Sequence, residues 1–342
     1  MKLALFFTRG VSLRIWEKVG NLDREVKPYK KLLDYFDEIY FLTYDNRSYL
    51  FEGIKVLPMS VFRKELKNID IFKTNQMDGS WKAVIAKKIF KKKLVVRQGY
   101  QRSIFAQKAK TKKWKQVVIQ SLEKFAYTNA DAIIVSSKAD KKYVEEKYKI
   151  NPKKVNYIPN YIDTDLFKPL NVEKENRICF VGRLEDQKNL FNLIEAVKGL
   201  DIKLTIFGTG SLKDKLTLAS SENIEFKENI NNKDLPGEIN KSRLFILPSL
   251  YEGCPKVLLE AMSCGVPVIG TNVYGIDEII KHKENGYLCE TSVESIRSAI
   301  MNILDDNDLQ KRMGLNARRT ILENFSLDKV LKKEKSIYET LR

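Results

Sequence analysis

The sequence predicts an α/β protein of two doubly wound, parallel-sheet domains, and three observations carry that expectation. The chain has 342 residues, too long for one ordinary domain and suited to two of about 150 each. Short apolar runs alternate with helical patterns, the rhythm that buries parallel strands between helices on both faces. That rhythm halts once, at the proline-bracketed turn Ile158-Pro159-Asn160-Tyr161-Ile162-Asp163-Thr164-Asp165-Leu166-Phe167-Lys168-Pro169, and then restarts.

Taken in order, the first series places strands at Leu3–Phe7, Glu38–Tyr44, Ile54–Pro58, Asp70–Asn75, Leu94–Arg97, Ala132–Ser136 and Val155–Pro159, with one long helix over Gln107–Tyr127. The second places strands at Ile178–Gly182, Lys203–Gly208, Ile224–Lys227, Leu244–Pro248 and Val266–Thr271. Three helical segments close the chain, the last over Leu327–Leu341. The expected domains are 1–160 and 161–326, with 327–342 crossing back onto the first. Ligands of open parallel sheets lie beyond the carboxyl ends of the strands, so two such sheets facing each other would form one deep cleft.

Composition narrows the function classes. With 43% hydrophobic and 31% charged residues the chain is globular and well cored. No stretch reaches the ~18 apolar residues of a membrane span, and the opening apolar run is too short for a signal peptide and reads as a buried strand. Cys179, Cys254, Cys264 and Cys289 have no metal-type spacing and read as buried thiols of a reducing cytosol. The single histidine, His282, sits in a charged turn and excludes a His-rich metal site or a histidine triad. Charge is divided unevenly. Residues 1–170 hold 36 Lys and Arg against 18 Asp and Glu, the whole of the net +17. Thirteen basic residues and no acid lie between Lys82 and Lys115. Such a single-sign field attracts polyanions.

The most informative segment runs Pro248-Ser249-Leu250-Tyr251-Glu252-Gly253-Cys254-Pro255-Lys256-Val257-Leu258-Leu259-Glu260-Ala261-Met262-Ser263-Cys264-Gly265-Val266-Pro267-Val268-Ile269. A strand ends at Pro248, a turn carries Glu252-Gly253, and a helix starts near Pro255, a residue suited to a first turn. Its free N–H groups and positive dipole end make an anion site, Gly253 admits close backbone approach, and Gly265 suits a left-handed cap. Glu252 and Glu260 stand eight residues apart, a rise of about 12 Å if helical. Glycosidase carboxylates are held roughly 5 to 9.5 Å apart, so this pair instead suits one extended ligand. Gly182-Arg183-Leu184-Glu185-Asp186-Gln187-Lys188-Asn189 offers a planar fork and a mobile point charge on one turn, a combination fitted to a diphosphate.

The long segment resembles the signature PS-x-x-EG-x-P-x-x-x-LEAM-x-x-G-x-PVI of retaining GT-B glycosyltransferases, specifically glycosyltransferase family 4, with Lys256 where asparagine is common. Gly182–Asn189 resembles the same family's GR-L-x-x-x-KN element, and Gly208-Thr209-Gly210 its G-x-G turn. Asp131–Ser137 and the linker at Ile158–Phe167 are also similar, as are Gly275–Ile279 and Asn285–Leu288. The resemblance is firm over residues 130–342 and thin before them. There the chain has Thr8-Arg9-Gly10-Val11 where many members have two glycines, and no histidine in the first domain.

The resemblance implies a GT-B fold and a retaining transfer of a sugar from a nucleoside diphosphate, of UDP or GDP type, to a hydroxyl of a glycan or lipid-linked glycan in cell-surface polysaccharide synthesis. Glu252, Arg183 and Lys188 would be the catalytic set. Gly10, Gly182, Gly208, Gly253, the amides of Lys256, Val257 and Leu258, and Glu260 on the ribose would complete the donor site. Arg97 or Gln98 would stand on the acceptor side in place of the missing histidine. No metal or other cofactor is expected; Asp163-Thr164-Asp165 has the letters of a metal motif but reads as linker. The expected location is the cytoplasm. The basic first half, where Trp81, Phe90, Phe105 and Trp114 interleave with the lysines, would rest on the inner face of the cell membrane or gather a diphosphate-linked acceptor. No nucleic acid is expected as partner. Two other classes remain open: a sugar-nucleotide epimerase of the same architecture, and a non-enzymatic nucleic-acid-binding protein suggested by charge alone.

Overall fold

The computed structural model describes residues 1–342 and divides into two units: Met1–Pro159 with Val330–Arg342, and Asn160–Lys329. In the first unit the chain runs β1 (Lys2–Phe6), α1 (Leu13–Lys18), α2 (Leu22–Leu32), β2 (Glu38–Thr43), β3 (Tyr49–Phe51), β4 (Ile54–Pro58), β5 (Ile71–Thr74), α3 (Ser80–Phe90), β6 (Lys93–Gln98), α4 (Arg102–Lys108), α5 (Lys113–Asn129), β7 (Ala132–Val135), α6 (Lys138–Tyr148) and β8 (Val155–Tyr157). The second continues β9 (Glu175–Val181), α7 (Leu190–Val197), β10 (Lys203–Phe207), α8 (Lys213–Ala219), β11 (Ile224–Lys227), α9 (Leu235–Lys241), β12 (Ser242–Leu247), α10 (Lys256–Ser263), β13 (Val268–Thr271), β14 (Tyr287–Cys289), α11 (Val293–Leu304) and α12 (Asn307–Asn324), and the last helix, α13 (Leu327–Thr340), belongs to the first unit from Val330 on.

The first sheet has the order β3-β4-β2-β1-β5-β6-β7-β8, the second β11-β10-β9-β12-β13-β14. Central strands such as β1 and β12 are buried almost throughout, as strands covered on both faces must be. In the second sheet the chain leaves β9 for β10 and β11 on one side, then returns to build β12 on the other. Loops after β9 and β12 therefore diverge at a topological switch point, where a crevice opens at the carboxyl ends. In the first sheet the equivalent point lies between β1 and β5.

Three expectations need correction. The sheets are not wholly parallel: β3 is a short strand antiparallel to β4 on the sheet edge. β14 was absent from the expected list because three residues carry too little periodicity to stand out. The single helix over Gln107–Tyr127 is two helices. Lys110 takes a φ of +49°, its N–H donates to Gln107 O (3.0 Å), and Thr111 N–H donates to Ala106 O (3.0 Å). That paired closure ends α4 without a glycine.

The four cysteines are free and buried. Burial pushes the thiols of Cys179, Cys264 and Cys289 up to about 12, so they stay protonated and inert. His282 is exposed, and its Nδ1 accepts the Leu288 N–H at 3.1 Å. No helix is long and apolar enough to cross a membrane.

Candidate functional site

The site in the second unit is built where β9, β10 and β12 end side by side. After β9 the chain turns through Gly182 and Arg183 into a 3-10 turn, Asp186–Lys188, and then α7. After β12 it passes Ser249 and Glu252 and enters α10, with Pro255 as the extended cap residue. Two bonds stitch the loops together: Leu250 N–H donates to Gln187 O at 2.8 Å, and Gln187 Nε2 to Tyr251 O at 2.7 Å.

Between the loops Lys188 and Glu252 meet. Lys188 Nζ donates to Glu252 Oε1, the two side chains being 11% and 9% exposed. Ser249 Oγ donates to the same oxygen at 2.7 Å, and Glu252 N–H is held by Tyr274 O at 2.9 Å. The sequence assigned the lysine to a diphosphate and the glutamate to a sugar; the fold makes them partners. An ammonium has three N–H groups and a carboxylate several lone pairs, so this contact leaves donors and Glu252 Oε2 for a ligand. Arg183 is exposed and takes part in none of the structure's ion pairs. The Tyr251 hydroxyl is pushed up by burial and by the Glu252 charge, and drawn down by Arg183.

Close backbone packing explains two glycines. A Cβ on Gly208 would lie 1.9 Å from Gly182 O, so the G-x-G turn brings the ends of β9 and β10 into contact. Glu185 reinforces this from the side, accepting Ser211 N–H at 3.1 Å and Ser211 Oγ at 2.8 Å. Gly275 has a φ of +86°, and a Cβ there would lie 2.2 Å from Gly253 O and 2.4 Å from Glu252 O. The Glu252-Gly253 turn thus rests directly on the backbone of Gly275.

Helix α10 carries the remaining residues. Leu258 N–H closes onto Pro255 O at 3.2 Å, which corrects the expectation that its amide is offered to a phosphate; Leu258 itself is fully buried. Val257 lies half-buried on the first turn, and Lys256 Nζ stands over the Tyr161 ring at 5.0 Å. Glu260 is 2% exposed and accepts from Asn232 Nδ2 at 3.4 Å. At the far end Gly265 takes a φ of +70°. Asn160 Nδ2 donates to Cys254 O at 2.7 Å, tying the linker to the turn before α10. Asp163 is bonded within that linker, Oδ1 accepting from Asp165 N–H at 3.3 Å.

The first-unit residues lie elsewhere. Gly10 follows β1 with a φ of +75° and open space where a Cβ would stand. Arg97 is largely buried, with its guanidinium 3.7 Å from Glu334. Gln98 is 1% exposed and fully engaged: its Nε2 donates to Glu123 Oε1 (3.1 Å) and Gln101 Oε1 (3.2 Å), and its Oε1 accepts from Tyr127 OH (2.9 Å). Its expected place on the acceptor side is therefore corrected to an interior position. The sequence reading gave no role to Ser249, Gln187 or Asn232. Ser249 lies inside the recognised string and could have been found there, whereas Asn232 sits in a polar loop with no readable pattern.

Comparison with known proteins agrees with this architecture. The model of the Glycosyl transferases group 1 matches residues 161–320, and that of Glycosyltransferase Family 4 matches residues 21–166. The UDP-Gal:alpha-D-GlcNAc-diphosphoundecaprenol alpha-1,3-galactosyltransferase of Escherichia coli is 30% identical over 68% of this chain and 66% of its own length. The N-acetyl-alpha-D-glucosaminyl L-malate synthase of Bacillus anthracis is 29% identical over 64% of this chain and 62% of its own. The chain thus spans a little under two thirds of the length of these relatives. Among solved structures, HepE of Anabaena in complex with UDP-glucose superposes with a TM-score of 0.79 at 16% identity, over 99% of this chain and 100% of that one. This likeness speaks for the fold alone, the two-domain GT-B architecture. With one family model on each half, together reaching from residue 21 to residue 320, the chain belongs to the group 1 and family 4 glycosyltransferases.

Proposed function

We propose that this protein transfers a sugar from a nucleoside-diphosphate donor to a hydroxyl of a glycan or lipid-linked glycan, with retention at the anomeric carbon. One observation carries the reading: Lys188 and Glu252 are joined, largely buried, at the switch point of the second sheet, with Glu260 on the helix that follows. In the proposed step the bond between the anomeric carbon and the diphosphate oxygen breaks, the diphosphate leaving with the electron pair. The acceptor oxygen forms the new bond on the face that the diphosphate leaves, and its proton passes to the departing diphosphate oxygen. Lys188 and Arg183 neutralise the departing charge, a task for fixed cations in a site of low dielectric, and no metal ion enters the step. The first turn of α10, with Lys256 and Val257, adds the positive end of its dipole. Glu252 Oε2 takes a sugar hydroxyl, Glu260 the ribose hydroxyls, and Gly182 and Gly253 give the backbone close access to the donor.

The printed names of relatives support donor and acceptor classes. The Escherichia coli relative is named for UDP-Gal and a diphosphoundecaprenol-linked acceptor, and the Anabaena structure holds UDP-glucose. An epimerase would need further acid and base groups around the sugar; of the site's two glutamates, Glu252 is already paired with Lys188 and Glu260 is given to the ribose. The test is a panel of UDP- and GDP-sugars assayed by thermal shift, then for turnover. A matched donor at about 100 times its dissociation constant adds about 2.7 kcal/mol of stability. Glu260→Ala and Lys188→Ala should each lower turnover by orders of magnitude while the fold survives. Full activity in both variants would sink the assignment.

A further inference from the structure

We propose that the cleft between α1 and β3 is a second ligand site, one that takes the phosphate monoester of a sugar. The cleft has a volume of about 400 Å³ and lies at the outer edge of the first sheet, where β3 is the last strand. None of the residues given above to donor or acceptor lines it. Small-molecule sites span roughly 300 to 1,000 Å³, so there is room for a phosphorylated ring and too much for a bare ion.

The walls are fastened by a buried carboxylate. Asp45, 8% exposed, accepts from Thr43 Oγ1 at 2.8 Å, from Leu13 N–H at 3.3 Å and from Tyr49 OH at 3.4 Å. One group thus ties together the end of β2, the start of α1 and the start of β3. Leu13 and Tyr49 are themselves part of the lining. Walls held in place beforehand spare a ligand the cost of ordering them.

Charge and shape name the ligand. Arg14 of α1 and Arg47 of the β2–β3 loop both line the cleft, and neither has an ion-pair or hydrogen-bond partner in the protein. Burial and the Asp45 charge push the Tyr49 hydroxyl up, and both arginine charges draw it down, which sets the two guanidinium groups about one point. Like charges brought together without a counter-charge repel, and an anion between them relieves this. Two forks suit the three free oxygens of a phosphate monoester, whereas one fork fills a carboxylate. Ser48 and Glu17 offer partners for sugar hydroxyls, and Leu22 and Phe51 an apolar wall for the carbon face of the ring. Glu17 would repel a second anionic group, which favours a monophosphate over a polyanion.

The test is isothermal titration calorimetry of the purified chain with glucose 6-phosphate, glucose and glucuronate, a readout that needs no sugar transfer. Glucose 6-phosphate is expected to bind, and the other two about tenfold or more weakly. Arg14→Gln and Arg47→Gln should each lower the affinity about tenfold, and the double variant about a hundredfold. Both side chains are exposed, and an unaltered melting midpoint shows that the variants fold. Lys113→Ser with Lys115→Ser should change the affinity less than about twofold, which separates a site from the general attraction of the basic first half. An oligosaccharide bearing a single 6-phosphate distinguishes the sources: tighter binding than glucose 6-phosphate places the phosphate on a glycan, equal or weaker binding on a free sugar. The proposal is overturned if glucose 6-phosphate is not bound, if the double arginine variant binds it as well as the parent, or if glucuronate binds as tightly. Displacement by UDP would also overturn it, assigning the binding to the second unit.

Discussion

Each unit contains one buried lysine–glutamate pair, and the two differ in what surrounds them. Lys73 of β5 meets Glu334 of α13 with side chains 3% and 4% exposed; Lys188 meets Glu252 with 11% and 9%. Around the first pair the space is filled. Arg97 approaches Glu334 at 3.7 Å, Tyr338 OH donates to the same carboxylate, and the Tyr29 ring lies 4.9 Å from Lys73 Nζ. Around the second only Ser249 is added, and the pair stands on loops at strand ends. A saturated pair fastens the last helix to its sheet; an unsaturated one keeps donors and acceptors for a ligand.

The largest effect expected is on the saturated pair. Lys73→Ala leaves Glu334 buried without its main partner and should cost about 3–5 kcal/mol in denaturant unfolding. Lys188→Ala should lower kcat/KM by about 10²–10³, some 2.7–4 kcal/mol of lost transition-state stabilisation. Its unfolding free energy should fall less than that of Lys73→Ala, since Lys188 and Glu252 are less completely buried than Lys73 and Glu334. Equal stability losses in the two variants would erase the distinction. Gly275→Ala forces a Cβ onto the Glu252-Gly253 backbone and should cost on the order of 2 kcal/mol, with activity falling as Glu252 is displaced. Ser249→Ala removes one hydrogen bond to Glu252 and should cost about 1 kcal/mol, read best as a raised KM for the donor.

The gentlest probe is pH. Burial pushes the Glu334 carboxyl up, but Lys73 and Arg97 outweigh it and hold the group below its ordinary value of 4.5. The unfolded chain therefore takes up this proton first as pH falls. The contribution is full above the ordinary value and is lost as pH drops through the folded one. Glu334→Gln should flatten that acid limb of the stability curve.

Much of this molecule was readable before any coordinates. The strands are short apolar runs between polar turns, and burial on both faces leaves little choice of residue, so most core strands fell within a residue or two of their observed bounds. Edge strands β3 and β14 escaped because three residues carry no period. The break between α4 and α5 escaped because the chain reverses at Lys110 without a glycine or proline to announce it. In the site, Glu252, Glu260, Arg183 and Lys188 could be named from motif and spacing, since chemistry restricts which side chains serve a diphosphate. That Gln98 would be sealed in an interior network could not, because its partner Glu123 lies 25 residues away on another element.

By itself the sequence determined the two strand–helix series, the turn that separates them and the family to which the chain belongs, all of which depend on local pattern. Only the tertiary structure decided that Lys188 and Glu252 are partners across 64 residues, that Gly275 supports their turn, and that α5 faces solvent with its apolar side. These are matters of which surfaces meet, and spacing along the chain carries no information about orientation once the intervening segment has folded.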